Sequence, residues 1–175
     1  MSNLPPGFEP HPRFDYFEPG DKTAMVCLDV PEMQRMVISQ LDELGYKVHT
    51  GLFLDDSVLK LQTHAYDIVI FSEHFQGGTL ADHPIIAEAN AVLPAQRRTQ
   101  IYAIVGSTLP TNEELLAFYH NVDVAISLED LANLKPVLRR AANRATEFYA
   151  PLQEVLAAIT AEELGIRRQP SGAAH

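Results

Sequence analysis

Tyr66-Asp67-Ile68-Val69-Ile70-Phe71-Ser72-Glu73 is the stretch that decides the fold. Ile68 to Phe71 form an unbroken apolar run, β-branched or aromatic throughout, between polar ends. A run this short, with no alternation, reads as a strand buried on both faces. Ala24-Met25-Val26-Cys27-Leu28 and Ile101-Tyr102-Ala103-Ile104-Val105 read the same way. Helical patterns separate the three runs. The expectation is an α/β fold of crossover units around a parallel sheet. Such sheets carry their functional crevice at the carboxyl ends of the strands. Asp29, Ser72 and Gly106-Ser107 should therefore converge.

Outward from that stretch, Pro31 suits the first turn of a helix. Met33, Met36, Val37, Gln40, Leu41 and Leu44 follow near helical spacing, and Gly45 closes it as a C-cap. Val48 to Phe53 reads as a second, more polar strand near an edge. Asp55 or Asp56 caps a second helix with Val58, Leu59 and Leu61 inward. Pro84 opens a third helix through Ile85, Ile86, Ala89 and Val92, and Gln96 to Thr99 leads into strand four. Thr111 with Glu114 makes a capping box for the next helix. Val122 to Ile126 makes a fifth strand, and Ser127 to Asp130 a second capping pattern. The expected core is Val26, Ile68, Val69, Ile70 and Ile104.

Before the first strand lies a proline-rich arm, residues 1–22, carrying Phe14, Tyr16 and Phe17. Proline at that density blocks helix and central strand. Its aromatics point to docking on the domain or on a partner. After the last strand, Leu138, Ala141, Ala145, Phe148, Leu152, Val155 and Ile159 are spaced three-four-three-four-three-four, a heptad seam. Pro136 fits a helix N1 position, and Pro151 should kink the helix or start a second one. A helix from Pro136 to Ile159 would span on the order of 35 Å, about twice what a sheet-flanking helix needs. Phe148, Leu152, Val155, Leu156 and Ile159 are thus expected to project beyond the domain and meet another chain or the arm. The division reads as arm 1–22, domain 23–147, and helical extension and tail 148–175.

Composition narrows the function. The chain has 175 residues, 46% hydrophobic, with 23 acidic against 13 basic side chains and a net charge of -10. Nucleic-acid binding needs a basic face to displace counterions, so it is not expected. The single cysteine, Cys27, sits in a strand and reads as a small hydrophobe. No apolar run reaches the roughly 18 residues of a membrane span, and residues 1–20 are too polar and proline-rich for a signal peptide. A cytoplasmic protein is the expectation.

Val26-Cys27-Leu28-Asp29-Val30-Pro31, Leu41-Asp42-Glu43-Leu44-Gly45-Tyr46-Lys47-Val48 and Tyr66 to Phe71 together resemble the receiver domain of bacterial response regulators. The resemblance runs over roughly residues 23 to 145. It implies a doubly wound five-stranded sheet in the order 2-1-3-4-5. It also implies a phosphorylation site: two acids after strand one hold magnesium, an aspartate ending strand three accepts the phosphoryl group, a Ser or Thr after strand four reads it, and a lysine after strand five pairs with it. Here those positions hold Leu28 and Asp29, Ser72, Gly106 (or Val105, with Ser107 one step on) and Leu128 (or Ser127). The chain resembles a degenerate receiver lacking the phosphoacceptor aspartate.

Serine is a far weaker nucleophile than a carboxylate unless a base activates it. Glu73 is adjacent, yet neighbours in a strand point to opposite faces. His74 could reach back, but a Ser-His pair needs a third orienting group. Asp29, Glu73, His74 and His83 have the ligand types for zinc or iron without the spacing of a known motif. Val105-Gly106-Ser107-Thr108 lacks the ending of a phosphate loop. Asp67 reads as a turn or capping residue. The expectation is therefore a phosphorylation-independent protein-interaction module in bacterial signalling, not an enzyme, with no metal or cofactor. It would dock through its fourth-helix to fifth-strand face, which the resemblance implies, its C-terminal helix or its arm. The alternatives are an accessory subunit of a larger assembly, self-associating through that helix, and a residual enzyme or small-molecule sensor at the Asp29/Ser72 crevice.

Overall fold

The computed structural model describes residues 16–163. The chain divides into two compact units, one ending at Ala141 and one beginning at Ala142. The first holds a five-stranded sheet of β1 (Lys22–Cys27), β2 (Tyr46–Thr50), β3 (Ile68–Ser72), β4 (Ile101–Gly106) and β5 (Val124–Ser127), in the order β2-β1-β3-β4-β5. Every pairing is parallel. The fold class and strand order are those expected. Edge position explains why β2 is the most polar strand, with only Val48 buried.

Between the strands lie α1 (Pro31–Glu43), α2 (Leu54–Thr63), α3 (Pro84–Ala91), α4 (Pro94–Arg97) and α5 (Glu114–Tyr119), and α6 (Leu134–Glu163) follows β5. One side of the sheet, through Met25, Cys27, Val69, Phe71, Tyr102, Ile104 and Ala125, packs with Ile85, Ile86 and Ala89 of α3 and Ala117 of α5. The alternate strand residues Ala24, Val26, Ile68, Ile70, Ala103, Val105, Val124 and Ile126 are equally buried. Strand alternation turns them to the opposite side. There Gln40 of α1 donates to Leu131 O at 2.9 Å and accepts from Leu134 N–H at 3.0 Å, tying α1 to the start of α6. The five expected core residues are all buried.

Several local expectations need correction. Strand two starts at Tyr46 and ends at Thr50, and strand five runs to Ser127. The N-cap of α2 is Phe53, without a side-chain cap; Asp56 instead pairs with Lys60 at 2.6 Å, and Leu59 is exposed. Thr111 caps nothing: its hydroxyl bonds Asp130 and accepts Ser127 N–H, so α5 starts late, at Glu114. The short α4 was not anticipated, because four residues are too few to carry a period. It starts on Pro94, and Arg97 at its end bonds Gln100 O and Asn121 O. Pro151 lies inside α6 and does not start a second helix. Pro31 at N1 and Gly45 after α1, at φ +82°, are placed as expected. Phe14 and the tail from Gly165 lie outside the described residues.

Candidate functional site

The crevice lies where the strands end. Cys27 pairs with Phe71, Ser72 with Val105, and Gly106 with Ser127. Leu28, next after β1, is buried, and Asp29 is exposed beyond it. The Ser72 hydroxyl donates to Asp29 Oδ2 at 3.0 Å. Gln76 donates to Asp29 Oδ1 twice, from its backbone N–H at 3.1 Å and its Nε2 at 3.0 Å. The backbone donor is aimed by a left-handed residue: Gln76 has φ 50°, ψ 38°. A non-glycine residue there costs about 1–2 kcal/mol. Buried Phe75 anchors the same turn. Both oxygens of the one remaining acid are thus engaged by the chain itself.

Glu73 takes the other direction. It is 4% exposed. Its Oε1 accepts Ser107 N–H at 2.8 Å and the Ser107 hydroxyl at 3.3 Å, and its Oε2 accepts the Thr108 hydroxyl at 3.1 Å. A Cβ on Gly106 would stand 2.4 Å from Glu73 Cδ. Glycine is therefore required for the carboxylate to lie flat on the turn after β4. Strand alternation did foretell that Ser72 and Glu73 part company. Glu73's destination was missed, because no local pattern joins it to the Gly-Ser-Thr turn after β4.

The histidines are occupied elsewhere. Ile85 N–H donates to His83 Nδ1 at 3.2 Å, so Nε2 carries the proton and donates to Ser72 O at 3.0 Å. His83 thereby caps α3 and ties it to the end of β3. Burial pushes its imidazole below the ordinary range. His74 Nδ1 faces Gly78 O at 3.2 Å, not Ser72. Asp29, Glu73, His74 and His83 form no ligand cluster; among the described residues no group of three could hold a metal ion. Cys27 is fully buried, which pushes its thiol up to about 12. Asp67 accepts Thr23 N–H at 2.7 Å and so joins β3 to the start of β1.

Leu128 is half-buried and opens a 3-10 turn, Leu128–Asn133, whose start is capped by the Ser127 hydroxyl. On α5, Leu115, Phe118 and Tyr119 are 75%, 84% and 82% exposed. Spacings of three and four put them on one helix face. Tyr16 is exposed. The Phe17 ring stacks on His49 with centroids 4.1 Å apart, and His49 Nδ1 bonds the Tyr66 hydroxyl at 2.8 Å. In the second unit Phe148, Leu152, Val155, Leu156 and Ile159 are all exposed.

No family model and no curated protein matches the chain. Solved structures do. A CheY-like receiver domain from Methanospirillum hungatei superposes with a TM-score of 0.57 at 10% identity, over 73% of this chain and 98% of that one. A response regulator from Burkholderia pseudomallei, solved with a phosphorylated aspartic acid, a calcium ion and citrate, gives 0.55 at 16% identity over 78% of this chain and 75% of its own. An orphan response regulator of H. pylori gives 0.52 at 14% over 70% and 98%. The first unit thus shares the fold of response-regulator receiver domains, a parallel sheet in the order 2-1-3-4-5.

Proposed function

We propose that the chain is a protein-docking module with the receiver fold, acting in bacterial signalling without phosphorylation of its own crevice. The observation that carries this reading is the bare apolar face of α5, Leu115, Phe118 and Tyr119, beside β5. Exposed aromatic and aliphatic side chains grouped on one helix face mark an interaction surface. The crevice supports the same reading from the other direction. The acceptor position is Ser72, its hydroxyl is given to Asp29, and Asp29's other oxygen is held by Gln76. Magnesium needs several hard oxygen ligands and the phosphoryl oxygens need a cation; Leu28 and Leu128 offer neither. His74 faces its own loop, so the Ser-His pair that would activate Ser72 is not formed. The module works by binding, not by catalysis.

One experiment tests both halves. Full-length chain is used as bait in a bacterial extract, untreated or incubated with acetyl phosphate and magnesium, beside a Leu115→Ser/Phe118→Ser bait. The expected result is the same captured protein from both wild-type baits, no aspartyl phosphate by intact mass, and loss of capture by the double variant. A stoichiometric phosphate adduct, or undiminished capture by the double variant, overturns the reading.

A second reading is favoured by a separate observation. The exposed seam from Phe148 to Ile159 suits self-association through the C-terminal helix, and with it a role as a subunit of a larger assembly.

A further inference from the structure

Glu73 has no part in that docking reading, yet it is the most elaborately housed charge at the crevice. We propose that the Gly106-Ser107-Thr108 turn is an anion-binding nest, specific for a carboxylate, whose resident ligand is the chain's own Glu73. Three donors converge on it: Ser107 N–H at 2.8 Å, the Ser107 hydroxyl at 3.3 Å and the Thr108 hydroxyl at 3.1 Å. Carboxylate oxygens accept, and here one backbone N–H and two hydroxyls supply the donors in place of a run of backbone N–H groups. Hydrogen bonds to a charged acceptor are roughly twice as strong as neutral ones. The missing Cβ at Gly106 makes the seat, since any side chain there would meet both carboxylate oxygens at 2.6 Å. The two sides of the nest differ in access. Glu73 is buried, whereas Ser107 and Thr108 are exposed. A free carboxylate can therefore approach the donors from solvent once the tethered one is gone.

The tether has a consequence for the docking face. Ser107 and Thr108 begin the loop that leads to α5. Further along, buried Leu109 packs in the core and Asn112 N–H bonds Ala125 O at 2.9 Å. Glu73 fixes the near end of that loop, and these contacts fix the rest. The nest stands on its own geometry; only its effect on docking rests on the reading of α5 above.

The test uses the full chain and free acetate. In Glu73→Ala, exchange of the Ser107 amide measured by NMR should rise roughly tenfold, the effect of losing a charge-assisted bond. Sodium acetate should slow it again, sodium chloride at equal ionic strength should not, and the wild type should be indifferent to acetate. Equal Ser107 exchange in wild type and variant, or identical effects of acetate and chloride, overturns the nest. Should Glu73→Ala fail to fold, Thr108→Val removes one donor and leaves the carboxylate. Ser107 exchange must then rise above the wild-type rate, by less than roughly tenfold, and stay acetate-insensitive; no change overturns the proposal. The assay needs no partner, so it succeeds or fails separately from capture by Leu115 and Phe118.

Discussion

Gly106 is the position where a single methyl group reaches furthest. A Cβ there would meet Glu73 Cδ at 2.4 Å and both carboxylate oxygens at 2.6 Å. The neighbour is the end of a flexible side chain, but that end is buried and triply bonded, so moving it strips a buried carboxylate of its donors. Gly106→Ala is expected to cost about 1–3 kcal/mol, as overpacking of a filled site does. Urea unfolding followed by circular dichroism measures it, and an unchanged midpoint would mean that Glu73 turns aside freely. The residue also shows what one dimension conceals. Asp29 and Ser72 were legible because strand ends locate a crevice whatever the side chains do. Glu73 was legible only as pointing away from Ser72. Its partners Ser107 and Thr108 are 34 and 35 residues distant in the chain, and nothing in the local pattern joins them. Gln76 was legible as loop, but its bonds to Asp29 were not, since no propensity rule assigns a left-handed backbone to a glutamine.

Strands and helices differed in how plainly the sequence announced them. β1, β3 and β4 are apolar runs buried on both sides, so composition alone marks them. Helices α4 and α5 span four and six residues, too short for a periodic stripe, and Thr111 with Glu114 satisfied a capping pattern while Thr111 in fact bonds Asp130. His83 is the joint between two such elements, capping α3 and donating to the last residue of β3. Its neutral form is required, because protonated Nδ1 could not accept Ile85 N–H. Burial lowers its pKa and His74 adds to this, while the bond to Ser72 O and the charge of Asp29 oppose it. A base with a depressed folded pKa stabilises fully above its unfolded value, about 6.5, and that stability is lost as pH falls through the folded value. The wild type is therefore expected to lose urea resistance from about pH 6.5 downward. In His83→Asn, which keeps an acceptor at the cap without titrating, that loss should be smaller. Superimposable pH profiles for the two proteins would refute the assignment.

Among the described residues, large apolar side chains stand exposed together on the α5 face and on the seam from Phe148 to Ile159. Heptad spacing put Phe148, Leu152, Val155 and Ile159 on one stripe of the helix, and all four are exposed. What the spacing could not state is how much area remains free. Phe148, Leu152, Val155, Leu156 and Ile159 are between 38% and 76% exposed. In a symmetric pair, burying the exposed half of ten such side chains yields on the order of 10 kcal/mol. Association itself costs about 4–15 kcal/mol. The two nearly cancel, so the expected outcome is weak, concentration-dependent self-association, not an obligate dimer. Sedimentation of the full chain over a wide concentration range should show the average mass rise. Removal of residues 150–175 cuts only within the second unit, which begins at Ala142. The shortened chain should keep its urea midpoint and stay monomeric at every concentration. Unfolding of the first unit on truncation would make the helix part of the core. An unchanged mass profile would remove the seam and leave the α5 face to carry the binding proposed above.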